Sequence, residues 1–269
     1  MNIIKYILLG ILQGLTEPLP ISSSGHLTLF KALFDTTIFD SLNFEIISNF
    51  GSFIAIFILF FKDIVKLLKG FFTYIFKKDK RSTTKKEFLY CIYIMISTIP
   101  VGITGILFKD KIESINSIMF LGFAFLITSL MLFIVRKFKG TKNDFDITLK
   151  DAIIVGLFQA VTVMPGISRS GTVLVACLLC GLKRDTALKY TFILYFPVSL
   201  AAMCLGVKDI IATPNLDAMI LPYTLGMISA LIVTYFSYKW MSDWVKKGKL
   251  AYFSIYCLFL ALFIFIYFH

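Results

Sequence analysis

The chain has 269 residues, 58% of them hydrophobic and only 16% charged, against about 25% charged in an ordinary soluble domain. A mean hydropathy of +0.85 and 29 phenylalanines leave too little polar surface to cover a water-soluble globule, which excludes soluble enzymes, secreted disulfide scaffolds and disordered tails. The net charge of +11 would suggest nucleic acid in a soluble chain; in a membrane chain it points to cytoplasmic loops rich in Lys and Arg, and no nucleic-acid partner is expected.

In chain order, residues 1–35 form a hydrophobic segment broken by Glu17, Pro18, Pro20 and the run Ser22-Ser23-Ser24-Gly25-His26. Its start does not read as a secretory signal, because Gln13 and Glu17 stand where a small-residue cleavage site should follow. Uncharged stretches at 46–61, 88–108, 115–135, 190–207, 218–238 and 250–268 are six predicted transmembrane helices. A crossing takes roughly 20 apolar residues, so the first needs help from its flanks. Lysines 62, 66 and 69 share one helical face, which predicts an interfacial segment over 62–76. The run KKDKRSTTKKE at 77–87 reads as a solvated loop.

A second interrupted segment, 149–182, carries Pro165-Gly166 and Ser168-Arg169-Ser170-Gly171. Neither half of either interrupted segment is long enough to cross alone, so each is either one broken span or a helix–loop–helix that enters and returns on the same side, and the expected fold takes both as re-entrant. Non-helical backbone at membrane depth is tolerated only against protein or a water-filled cavity. The five cysteines, scattered among apolar stretches, read as small buried hydrophobes. The expected fold is all-α: a polytopic membrane protein of six transmembrane helices plus two re-entrant pairs, one domain over 1–269.

Basic residues set the sidedness. Loops 62–87, 136–150, 183–189 and 239–249 hold 9, 5, 3 and 4 Lys and Arg, 21 in all. The other side holds Lys5, Lys31, Lys109, Lys111 and Lys208. That bias puts the four loops in the cytoplasm and both termini outside. Arg169 alone belongs to neither group.

The interrupted segments also resemble each other. Residues 10–25 and 156–171 align without a gap at an offset of 146, with seven of 16 positions identical, including Gly10/Gly156, Gln13/Gln159, Ser22/Ser168, Ser24/Ser170 and Gly25/Gly171. Three spans follow each copy, so the second enters from the opposite face, as in an inverted-topology repeat over roughly 1–135 and 149–269. Gly and Ser at helix contacts would be the plainer explanation, but it leaves Glu17, His26 and Arg169 unexplained.

Both serine runs read as tight turns opening a helix. Two half-helix N-termini from opposite faces would aim free N–H groups and positive dipole ends at one volume. Ser22, Ser24, Gly25, Ser168, Ser170 and Gly171 would contribute donors there, and Arg169 a planar fork suited to phosphate oxygens. The plainer alternative is an Arg169–Glu17 pair that only neutralises both charges. Glu17 lies four residues after Gln13 on one helical face, and Pro18 should end the helix there. A carboxylate beside a phosphate pocket either holds a divalent cation or acts as a base. His26, three residues after Ser23 and four after Ser22, is spaced as a base for a hydroxyl nucleophile or an acid for a leaving phosphate.

At these residues the sequence resembles the undecaprenyl-diphosphate phosphatase family, the bacitracin-resistance membrane phosphatases. The first family motif matches Gln13, Glu17, Ser22, Ser23, Gly25 and His26, and the second, Pro-Gly-x-Ser-Arg-Ser-Gly, matches Pro165, Gly166, Ser168, Arg169, Ser170 and Gly171. The resemblance implies removal of one phosphate from the polyprenyl diphosphate that carries cell-wall precursors, with bacitracin resistance, in a bacterial plasma membrane with the site open to the outer face. It implies Mg²⁺ or Ca²⁺ at Glu17 and Gln13, His26 as catalytic acid/base, Ser23 as nucleophile, and Arg169 on the diphosphate. Gln13 stands where many members have Glu, and Pro18 where an aromatic residue is common. A secondary transporter or lipid-carrier translocase is the competing expectation, because inverted repeats with broken helices are common there. The expected partners are the lipid and the bilayer; association as a homodimer stays open.

Overall fold

The computed structural model describes residues 3–34, 42–108, 117–211 and 216–269. Lys109, Lys111 and the first two residues of the expected span at 115–135 lie outside these. Ten α-helices are described: α1 (Ile3–Thr16), α2 (Ser23–Phe34), α3 (Leu42–Phe76), α4 (Arg81–Leu107), α5 (Ile118–Val135), α6 (Leu149–Val161), α7 (Arg169–Leu179), α8 (Arg184–Ile211), α9 (Leu216–Lys246) and α10 (Leu250–Tyr267). Six of them, α3, α4, α5, α8, α9 and α10, are long and apolar enough to cross a membrane. They correspond to the six expected spans.

The main correction lies in 62–87. No separate interfacial segment exists there: α3 runs unbroken for 35 residues, about 52 Å at 1.5 Å per residue. The expected loop is one 3-10 turn, Lys78–Lys80, followed directly by α4. The reason is helix pairing. Behind the lysines, Phe71 and Tyr74 stack on Phe88 of α4, with centroids 5.4 and 4.1 Å apart. Leu67 is buried in the same seam. The cysteines also depart in part from expectation, since Cys177 and Cys257 are buried but Cys204 is exposed.

The two interrupted segments form short helix pairs, α1–α2 and α6–α7. Each first helix packs on a long helix of the other half: α1 on α9, and α6 on α4. Small residues permit the first approach. A Cβ on Gly10 would stand 2.1 Å from the Gly226 carbonyl oxygen, and one on Gly14 would stand 2.6 Å from that of Ala230, a small-xxx-small contact on both helices. Gly10→Val is therefore expected to cost at least about 1–3 kcal/mol by overpacking. It should also lower activity, because α1 carries Glu17 at its end; thermal melting in detergent tests the stability effect, and an unchanged midpoint would refute it. Elsewhere polar pairs fasten helices inside the bundle. Ser129 of α5 and Ser254 of α10 each donate to the other's carbonyl oxygen, at 2.7 and 2.8 Å.

The four basic segments meet at one end of the bundle. Lys189 bridges Asp63 and Asp144 at 2.6 and 2.9 Å, and Lys246 pairs with Asp185. Lys66 and Lys86 both lie over the Phe145 ring. The start of α6 is fixed there too, by a capping box between Thr148 and Asp151 and by Lys142 on the Asp151 carboxylate.

Candidate active site

Each helix pair turns where the sequence breaks. α1 ends at Thr16, because Pro18 disfavours helical backbone at Glu17 and has no N–H to continue the ladder. α6 ends at Val161 ahead of Pro165-Gly166, where Gly166 takes φ +85°. The next helices open alike. Ser22 Oγ accepts from the Gly25 N–H at 3.2 Å, and Ser168 Oγ from the Gly171 N–H at 3.0 Å. The two turns touch through Ser170 Oγ, which donates to the Leu19 carbonyl at 3.0 Å.

Between them lies a cavity of about 260 Å³, lined by Glu17, Ser22, Ser23, Ser24, Ser168, Arg169 and Ser170 from the turns. Glu17 is its centre. Its Oε2 accepts from Gln13 Nε2 at 2.9 Å and also from Ser23 Oγ. Its Oε1 accepts from Arg169 Nη2 at 3.0 Å. The carboxylate side chain is 7% exposed and the guanidinium side chain 25%, so the pair joins the two halves across 152 positions of sequence. Arg169 also lies over the Tyr195 ring, 4.6 Å from its centroid. Tyr195 donates to Asn49 Oδ1 at 3.4 Å. One guanidinium face is thus covered and one nitrogen is engaged by Glu17.

The remaining sequence-derived residues sit behind this surface. Gln13 is buried, with its Oε1 lacking a partner. Gly25 and Gly171 are packing positions; a Cβ on Gly25 would press on the Phe125 ring at 2.9 Å. His26 is buried and is not among the lining residues. Its Nδ1 is 2.6 Å from the Ser22 carbonyl oxygen, and its Nε2 is 2.8 Å from the Tyr256 hydroxyl.

Glu45, Asn49 and Tyr195 also line the cavity, and sequence reasoning did not single them out. The signal for Glu45 and Asn49 was a polar face, Glu45, Ser48, Asn49 and Ser52, at the start of α3. Glu45 gives the cavity a second carboxylate, although position 13 holds only an amide. No group of three or more His, Cys, Asp or Glu that could hold a metal is present among the described residues. The donors available, two carboxylates and the unpartnered Gln13 Oε1, are all oxygen. Such a set fits a hard cation such as Mg²⁺ or Ca²⁺ supplemented by phosphate oxygens, and not zinc.

These features define a polytopic membrane protein with a polar cavity in which the Glu17 carboxylate accepts from both the Ser23 hydroxyl and the Arg169 guanidinium. The family model described as "Bacitracin resistance protein BacA" matches residues 6–263, and the chain belongs to that family. It is 45% identical over 257 residues to "Undecaprenyl-diphosphatase 2" of Bacillus thuringiensis, covering 95% of this chain and 94% of that protein. It is 44% identical over 259 residues to "Undecaprenyl-diphosphatase" of Oceanobacillus iheyensis, covering 95% and 93%. With "Undecaprenyl-diphosphatase 1" of Halalkalibacterium halodurans it shares 41% identity over 256 residues, covering 95% and 92%.

Proposed function

We infer that this chain hydrolyses undecaprenyl diphosphate to undecaprenyl phosphate and inorganic phosphate, recycling the lipid carrier of cell-wall synthesis. Family membership agrees with this reading, and the observation that carries it is the Ser23–Glu17–Arg169 contact inside the cavity. The terminal phosphate binds at Arg169 and the two serine turns. Ser23 Oγ attacks its phosphorus in line and gives its proton to Glu17, while the bond to the bridging oxygen breaks and undecaprenyl phosphate leaves. Water then hydrolyses the phosphoserine and releases phosphate. Donors already aimed at the transferring group stabilise its charge without reorganisation. A transporter would need none of this hydroxyl–carboxylate contact.

A divalent cation, Mg²⁺ or Ca²⁺, belongs to the proposal. Glu17, Glu45 and Gln13 Oε1 would hold it, and it would neutralise charge on the diphosphate. The two halves are read as an inverted repeat, supported by their matched turns and by the reciprocal packing of α1 on α9 and α6 on α4. The end that gathers the basic loops is assigned to the cytoplasm by the charge bias, with both termini outside and the site open to the outer face. Single-cysteine labelling tests this orientation, and external access to the turn at Lys78–Lys80 would reverse it.

The deciding experiment gives purified protein a polyprenyl diphosphate with Mg²⁺ or Ca²⁺ and measures released phosphate. Turnover that EDTA abolishes is expected; no release from folded protein with any of several divalent ions would end the proposal. The same assay tests Tyr195. An aromatic face under a guanidinium is worth about 0.5–2 kcal/mol, so Tyr195→Leu is expected to raise KM about tenfold. Tyr195→Phe, which keeps the ring, should stay near wild type. Equal defects in both variants would assign the effect to the hydroxyl.

A further inference from the structure

Two turns of one sequence pattern differ in backbone conformation at the serine that caps the following helix. Ser22 has φ +69°, whereas Ser168, its counterpart 146 positions on, has φ −69°. Left-handed backbone at a residue with a Cβ is unfavourable and persists only where its surroundings over-determine it. Within the five-residue turns the sequences differ at Ser23/Arg169 and at His26/Thr172. Thr172 Oγ1 has no partner. His26 instead grips the turn through Nδ1, 2.6 Å from the Ser22 carbonyl oxygen.

The partners fix the ring. A carbonyl oxygen only accepts, so Nδ1 carries the hydrogen, and Nε2 of the neutral ring accepts from the Tyr256 hydroxyl at 2.8 Å. The Tyr256 and His26 rings lie parallel within 3°, with centroids 5.6 Å apart. Phe125 of α5 meets His26 edge-on at 5.4 Å. Both ring nitrogens are thereby engaged away from the cavity, on either side of a link from α10 to the Ser22 turn.

We propose that His26 and Tyr256 are positioning residues: Tyr256 fixes the His26 ring, His26 holds the Ser22 carbonyl, and this strut keeps Ser22 left-handed so that Ser23 Oγ meets Glu17. His26 then moves no proton in the reaction. The inference deepens the phosphatase reading and rests on it for its activity readout, while its premise is geometric.

The test measures phosphate release against pH for wild type, His26→Ala, His26→Asn, Tyr256→Phe and the double variant His26→Ala/Ser22→Gly. Misaiming a reacting group by about 1 Å can cost about 10²-fold, so His26→Ala is expected to lose about that in kcat with little change in KM. Asn places an amide N–H close to the position of Nδ1–H but cannot serve as acid or base; it is expected to recover about tenfold over Ala. Tyr256→Phe should lose less than His26→Ala, with an unchanged pH profile. Glycine adopts positive φ without support, so Ser22→Gly is expected to raise the activity of His26→Ala, even though it removes the Ser22 hydroxyl cap.

If His26→Asn is as inactive as His26→Ala and Ser22→Gly gives no rescue, the proposal fails. It also fails if His26→Asn loses one limb of the wild-type pH profile. A readout independent of turnover is the imidazole ¹⁵N spectrum of His26, isolated in a His269→Ala background. The neutral Nδ1–H tautomer is expected, with its Nε2 shift moving in Tyr256→Phe; an Nε2–H tautomer or a charged ring near neutral pH overturns the strut. Folded wild-type protein that releases no phosphate would count against the phosphatase reading alone, and the ¹⁵N spectrum would still decide the inference.

Discussion

Arg169→Ala is expected to lower kcat/KM for phosphate release by about 10³-fold, the upper end of what removing one donor to a developing oxyanion costs. Arg169 is the sole cation among the described residues lining the cavity. A second effect accompanies the first. Removing the guanidinium leaves the Glu17 side chain, 7% exposed, without its countercharge, and breaking one side of a buried pair costs roughly 3–5 kcal/mol. Arg169 is itself a quarter exposed to the cavity, so the lower part of that range applies. Two further variants separate stability from activity. Arg169→Lys keeps the charge and much of the stability but not the planar fork, so its activity should fall between wild type and Ala. Adding Glu17→Gln to Arg169→Ala should restore melting temperature without restoring turnover. Near-wild-type phosphate release by Arg169→Ala would remove Arg169 from the mechanism.

The two breaks were legible because the physics behind them is local. Proline at 18 and 165 cannot continue a helix, and a serine followed three residues later by glycine caps the next one. Pairing Glu17 with Arg169 was also within reach, since two charges in an apolar chain have few other partners. What the sequence hid was packing between distant segments. Lysines 62, 66 and 69 look like the end of a span, yet the apolar positions between them pair with α4 and keep α3 helical to Phe76. Glu45 sits where the first uncharged stretch begins and so read as a boundary; only the fold turns it toward Glu17's cavity. Tyr195 is one aromatic among many until Arg169 is seen above it. His26 reads as a chemical group by spacing to Ser22 and Ser23, but its ring direction depends on Tyr256, 230 residues away.

Glu17→Gln is the sharper probe of the chemistry, because it keeps the shape of the side chain and removes only its charge and basicity. The amide keeps one acceptor of the two: its oxygen can accept from Arg169 at the Oε1 position or from Ser23 and Gln13 at the Oε2 position, while its NH2 faces the other donors. The expected stability loss is accordingly about 1–3 kcal/mol, the cost of leaving one of these partly buried donors without its acceptor. Turnover should fall by about 10²–10⁴-fold, the usual contribution of a positioned general base. The decisive comparison is with Ser23→Ala. If Glu17 acts by taking the Ser23 proton, the two form one unit, and residues that act as a unit do not multiply their losses. Ser23→Ala and Glu17→Gln should then be similarly impaired, and the double variant hardly worse than either. Losses that multiply would mean that Glu17 and Ser23 serve separate steps, with Glu17 activating water or holding the cation. Trapping phosphate on Ser23 by acid quench distinguishes these directly: labelled phosphoserine is expected in wild type, and in greatly reduced yield in Glu17→Gln. Undiminished label in Glu17→Gln would remove the carboxylate from the attack step.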